Sequence, residues 1–108
     1  MVRIAALIPV ALATAFAAAV AHAEGVTIYQ EDKKFSEAEV TIKAGQSVIF
    51  ANKDPITHNV YSKSPGMSFD LRTQKAGESS EVKFDHAGES DVQCAIHPQM
   101  KMKIKVTE

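Results

Sequence analysis

The sequence predicts an all-β sandwich or barrel, and three observations carry that prediction. Met102, Ile104 and Val106 alternate with Lys101, Lys103, Lys105 and Thr107, the period of two of a half-buried strand. Turn-forming clusters recur at short intervals, at Ala44-Gly45-Gln46, Asn52-Lys53-Asp54-Pro55, Pro65-Gly66 and Ala87-Gly88-Glu89. No segment beyond residue 23 sustains a helical period. Many short strands joined by frequent turns bury their apolar faces by packing sheet on sheet or by closing on themselves.

The elements follow in order. Val26-Thr27-Ile28-Tyr29 alternates and leads into Glu31 to Lys34, a charged stretch that reads as a solvated turn. Val40 and Ile42 alternate with polar neighbours. Val48-Ile49-Phe50-Ala51 is a continuous apolar run of the kind a buried strand requires. Thr57 to Ser62 is rich in β-formers, Glu81 to Phe84 alternates, and Ser90 to Cys94 makes the penultimate strand. The lysines on the outer face of the last strand discourage edge-to-edge pairing.

Residues 1–23 stand apart from this pattern. Arg3 supplies a short positive region, Ile4 to Ala21 is an Ala-rich run without charge, and Ala21-His22-Ala23 has the small-x-small form of a cleavage site. The expectation is a cleaved secretory signal peptide over 1–23, export to the periplasm, and one small domain over 24–108 with a limited core. Without Arg3, 11 basic and 13 acidic side chains leave a formal charge of −2. There is no basic stripe, which argues against a nucleic-acid partner. No later segment is long enough to span a bilayer, and nothing indicates an obligate oligomer, so a monomer is expected.

Cys94 is the single cysteine, so an exported chain of this kind has no internal disulfide. A leftover thiol in an oxidising compartment points to an intermolecular bridge or a functional sulfur, and metal ligation would protect it. It opens the stretch Cys94-Ala95-Ile96-His97-Pro98-Gln99-Met100, with His58 upstream in Thr57-His58-Asn59-Val60. One thiolate, two imidazoles and a thioether form a soft donor set that suits copper, in the pattern of two His and one Cys with a weak axial Met. The spacing puts three of these side chains on one compact loop, and His58 would close the site from a neighbouring part of the sheet. Pro98 stiffens the loop by fixing its own backbone angle. A stiff site suits one-electron transfer, because Cu(I) and Cu(II) prefer different geometries. His86, in a polar turn, reads as a solvated surface residue.

Three blocks of the chain resemble the cupredoxins, among them most closely amicyanin and the plastocyanin group. They are Val40-x-x-x-x-Gly45-Gln46-x-Val48-x-Phe50-x-Asn52-x-Asp54, then His58-Asn59-Val60, then Cys94-x-x-His97-Pro98-x-Met100, and with Gly88 they span nearly all of 24–108. The resemblance implies a Greek-key β-sandwich with a single copper ion near one end. It implies His58, Cys94 and His97 as equatorial ligands, Met100 as the axial one, and Asn59 tying the two ligand-bearing segments together. It also implies His97 as the partly exposed route for electrons, inside an apolar docking rim of Ile96, Pro98 and Pro55; Met67, after Pro65-Gly66, reads as a loop residue packing on the sandwich, with a place in that rim as the alternative. The chain departs from the family at Val92 and Gln93, where aromatic residues are common.

Met102 is an alternative axial ligand, since plastocyanins use a longer Cys-x-x-His-x-x-x-x-Met spacing. Register favours Met100: in the family pattern apolar residues follow the axial Met at four and six positions, which are Ile104 and Val106 from Met100 but Val106 and Glu108 from Met102. The expected function is a non-enzymatic carrier of single electrons between transient protein partners such as a dehydrogenase or cytochrome. An alternative is copper sequestration or delivery without electron shuttling. A Cys–His nucleophile would need a base and an orienting third group. Zinc would leave the thioether unexplained, and a merely structural buried thiol would leave both histidines unexplained.

Overall fold

The computed structural model describes residues 25–108, so the expected signal peptide over 1–23 and its cleavage site lie outside the described residues. Nine strands follow in chain order: β1 (Val26–Glu31), β2 (Lys34–Phe35), β3 (Glu39–Lys43), β4 (Ser47–Asn52), β5 (His58–Ser62), β6 (Phe69–Gln74), β7 (Ser79–Lys83), β8 (Gly88–Gln93) and β9 (Lys101–Thr107). They form a four-stranded sheet in the order β2-β1-β4-β7 and a five-stranded sheet in the order β3-β9-β8-β5-β6. No helix occurs among the described residues. β1 runs parallel to β4 and β3 parallel to β9, whereas the other pairs are antiparallel. The architecture is the all-β, Greek-key sandwich expected from the sequence.

Alternation fills the space between the sheets. Met102, Ile104 and Val106 of β9, Val92 of β8, Val60 of β5, and Ile28, Val48 and Phe50 of the other sheet are all buried. Phe50 is fully buried, which contributes about 1.5–3 kcal/mol by area removed from water. Its ring stacks on Phe69 at 5.8 Å and meets Phe35 edge-on at 6.3 Å, and Phe69 in turn meets Phe84 at 6.0 Å. This row of rings joins the two sheets.

Two strands escape the sequence reading. β2 is only two residues long, below the length at which a period can be recognised. β6 lies at the edge of its sheet, and its alternation is broken where Arg72 takes a positive φ of 60°. The β5–β6 pairing shifts register between Asn59 and Tyr61. A bulge of this kind moves side chains from one face to the other, so the apolar and polar positions no longer alternate. Gly88, expected within a turn, instead opens β8 at φ 153°.

The register positions the site. His58, Val60 and Ser62 of β5 are buried, as are Ser90 and Val92 of β8, and Cys94 keeps their parity one step beyond the strand end. The β5–β8 ladder consists of Tyr61–Gln93 and Ser62–Val92 only. On the His58 side of Tyr61 the ladder ends, and the buried side chains of His58 and Cys94 lie next to each other there. His58 and Cys94 therefore belong to neighbouring strands of one sheet.

Candidate metal centre

Each of the three histidine and cysteine positions is placed by a different piece of backbone. His58 opens β5 and is fully buried. Cys94 follows β8 and is 1 % exposed. His97 stands on the Cys94–Met100 turn and is half-buried. The turn is closed by Met100 N–H donating to His97 O at 2.9 Å and Cys94 N–H donating to Met100 O at 3.3 Å. A tight turn closed at both ends keeps the two potential ligands three residues apart on the same side.

The donor atoms converge. Cys94 Sγ lies 3.8 Å from His58 Nδ1 and 3.9 Å from His97 Nδ1, and the ligand atoms of the three residues all lie within 4.8 Å of one another. An ion bound by thiolate and imidazole at about 2.3 and 2.0 Å in a trigonal plane would hold those donors about 3.7 Å apart. The two sulfur–nitrogen spacings are close to those a soft metal held by the thiolate and both imidazoles would set. The two imidazole rings stand at 68° to each other with centroids 4.9 Å apart, and each has its Nδ1 within 4 Å of Cys94 Sγ.

Asn59 bridges the two strands. Its main-chain N–H donates to Cys94 Sγ at 3.4 Å, and its side-chain Oδ1 accepts from Ala95 N–H at 3.2 Å. Its Nδ2 donates to Arg72 O at 2.9 Å and to Asp70 Oδ1 at 3.1 Å. These bonds take over where the β5–β8 ladder stops, and they join β5, β6 and the Cys94 turn at one point.

Two methionines near the turn are buried in different surroundings. Met102 is 5 % exposed and belongs to the apolar cluster with Val92, Ile104 and Val106. Met100 is 1 % exposed but lies outside that cluster, at the end of the turn carrying His97. Pro98 is exposed beside it.

Met67 packs on the sandwich, as its loop position suggested, and the alternative place in a rim around His97 is not the one it takes. It is 7 % exposed, packs in the core, and lies against Gly88 at the opposite end of β8 from Cys94. Ser90 Oγ lies 3.0 Å from Met67 O and 2.7 Å from Ser62 Oγ, which anchors the segment there. The reason is directional: β5 carries the chain away from the site, so the residues that follow it belong to the far end. Pro55 and Ile96 stay at the near end, where Ile96 is 52 % exposed, and Ile56, which the sequence reading did not single out, is 38 % exposed.

Asp54 was also missed as a site residue. It is 5 % exposed, and His58 Nε2 lies 2.6 Å from its Oδ2. Asp32 N–H donates to Oδ1 at 2.6 Å and Lys33 N–H donates to Oδ2 at 2.9 Å. Asp54 N–H donates to Asn52 Oδ1 at 2.9 Å, while Asn52 Nδ2 donates to Ile56 O and Gln74 O, pinning the β4–β5 loop. Nothing in the local pattern around Asp54 announces this, because a loop carboxylate before a proline is ordinarily solvated.

Burial pushes the Asp54 carboxyl up, but the hydrogen bonds from His58, Lys33 N–H and Asp32 N–H outweigh it and hold the group below its ordinary value of 3.8. A carboxyl depressed in the folded state stabilises that state above its unfolded value and ceases to do so as pH falls through the folded one. In the metal-free protein, wild type should therefore exceed Asp54→Asn in urea stability by a constant margin from neutral pH down to about 3.8. The margin should shrink at more acid pH. A margin that stays unchanged as the pH is taken well below 3.8 would show that the carboxylate charge contributes nothing.

Residues 23–107 match the family of copper binding proteins, plastocyanin/azurin family. The chain is 40% identical over 76 residues to amicyanin-alpha of Methylorubrum extorquens, a match spanning 68% of this chain and 64% of that protein. It is 33% identical over 93 residues to amicyanin of Paracoccus versutus, spanning 83% and 70% respectively. The crystal structure of the Paracoccus versutus amicyanin superposes with a TM-score of 0.70 at 32% identity, over 78% of this chain and 82% of that one. A copper-containing nitrite reductase from Thermus scotoductus superposes with a TM-score of 0.72 at 27% identity, but the shared region is 78% of this chain and only 22% of the reductase.

Proposed function

The chain belongs to the plastocyanin/azurin family of copper-binding proteins, and from that premise we propose that it is a periplasmic carrier of single electrons. Copper is its cofactor and, when bound, supplies the Cu(I)/Cu(II) couple. In this reading His58, Cys94 and His97 are the equatorial ligands, Met100 is the axial one, and residues 1–23 are the export signal preceding the domain at 24–108. The observation that carries it is the convergence of one thiolate and two imidazole nitrogens at the spacing a single soft ion requires.

Each residue has a defined task. Cys94, buried at the strand end and receiving the Asn59 amide, presents a thiolate shielded from oxidants. His58 is held rigidly beneath the surface. His97, half-buried on the turn, is the point of electron entry and exit. The apolar side chains exposed at that end, Ile56 and Ile96 with Pro55 and Pro98, provide a small surface for a protein partner. Small interfaces bind weakly and separate fast, as an electron shuttle requires. The amicyanin relatives agree with this reading, and the reductase likeness extends to a fifth or so of that enzyme.

Adding Cu(II) to the purified protein should produce an intense visible thiolate-to-copper band, and voltammetry should give a reversible one-electron wave. A bound but redox-irreversible copper would instead favour sequestration or delivery, and no band at all would refute the site.

A further inference from the structure

The hairpin turn between β1 and β2 has a feature that its charged side chains conceal. Asp32 and Lys33 take positive φ values of 56° and 59°. Two consecutive positive φ angles are the requirement of the tight turn that suits the twist of a two-residue hairpin. The consequence is that the amides of both residues turn towards Asp54, so the stretch that reads as a solvated turn is solvated only on its side-chain side.

The Asp54 carboxyl group thus faces three N–H groups: Asp32 N–H on one oxygen, and Lys33 N–H with His58 Nε2 on the other. An ionised carboxylate is the one form with acceptors alone, and it satisfies all three; an amide or a neutral acid would place a donor against a donor. With the acceptor fixed there, His58 carries its proton on Nε2 and leaves Nδ1, 3.8 Å from Cys94 Sγ, as a free lone pair.

We propose that Asp54 is a positioning residue for His58, with the Asp32–Lys33 turn as its anchor, and that this relay raises the donor strength of His58 towards the oxidised metal. The inference rests on the copper reading above. A carboxylate accepting the far N–H of a ligating imidazole orients the ring and makes it more basic. A more basic imidazole stabilises Cu(II) more than Cu(I), because the doubly charged ion gains more from added electron density. The backbone that sets this property lies more than twenty residues before His58 in the chain.

The test compares Asp54→Asn with wild type in two ways. Outer-shell partners of this kind alter metal affinity about 10–100-fold. Asp54→Asn should lower the preference for Cu(II) over Cu(I) by about tenfold, read as a rise in reduction potential of about 59 mV for one electron. Glu31→Gln, which removes an exposed carboxylate of the same hairpin without touching Asp54, should change the preference less than twofold. In the metal-free wild type, nitrogen-15 NMR should show His58 as the Nε2–H tautomer with a strongly downfield ring proton, and Asp54→Asn should lose that proton signature. Equal potentials for wild type and Asp54→Asn, or an Nδ1–H tautomer in the wild type, would overturn the proposal. The NMR comparison needs no copper, so failure of the copper reading and failure of this inference give different results.

Discussion

Cys94→Ala is expected to abolish the intense visible band that Cu(II) gives with the wild-type protein. The band depends on charge transfer from a thiolate, and Cys94 is the sole source of one in the chain. The variant removes one sulfur atom at the end of β8, outside the apolar cluster, so the sandwich should stay folded. The loss of copper affinity should exceed the roughly 10–100-fold typical of outer-shell partners, because a ligand itself is gone. The two remaining imidazoles and a thioether would still bind some copper, but without the intense absorption. Absorption titration and competition with a chelator measure both effects. A band of undiminished intensity would mean that another group reaches the metal and that the proposed centre is wrong.

The second large effect separates the two methionines. Met102→Ala should destabilise the protein by about 2–5 kcal/mol, the range for truncating a buried methionine in a packed core, and should leave the copper spectrum nearly unchanged. Met102 is 5 % exposed and belongs to the buried apolar cluster with Val92, Ile104 and Val106. Met100→Leu is close to volume-conserving and should cost less than about 1.5 kcal/mol. It should nonetheless shift the spectrum and raise the potential, because an axial thioether tunes this kind of site and donates preferentially to the oxidised ion. Urea unfolding of the metal-free proteins and voltammetry of the loaded ones give the four values. If Met102→Ala moves the potential and Met100→Leu does not, the axial assignment is reversed.

The two residue sets differ in how visible they are before folding. His58, Cys94, His97 and Met100 stand out because their chemistry is rare in combination, and three of them share a seven-residue stretch. Asp54 Oδ2 lies 2.6 Å from His58 Nε2, yet the residue is chemically ordinary and sits in an unremarkable polar loop. Its partners are main-chain amides, which every residue possesses, so no side-chain identity at positions 32 and 33 marks them. Met67 shows the converse: its chemistry would suit a copper rim, but its loop position reads as packing on the sandwich, and β5 does carry that part of the chain to the far end.

The strands follow the same division. β9 and β4 are legible because one face is buried along their whole length, which imposes a strict period of two or an apolar run. β6 is an edge strand with a bulge, and the physical signal that alternation provides is lost when the register shifts.

Ligand chemistry and strand alternation are local properties written residue by residue, and they were enough to establish an all-β sandwich and a soft-metal donor set around Cys94. Only the folded chain decided that the β5–β8 ladder ends where Asn59 can turn its amide to the sulfur, and that a hairpin from the other sheet grips Asp54 beneath His58. Those relations join residues far apart in the chain through backbone groups common to all amino acids, so their information resides in distance and direction rather than in residue type.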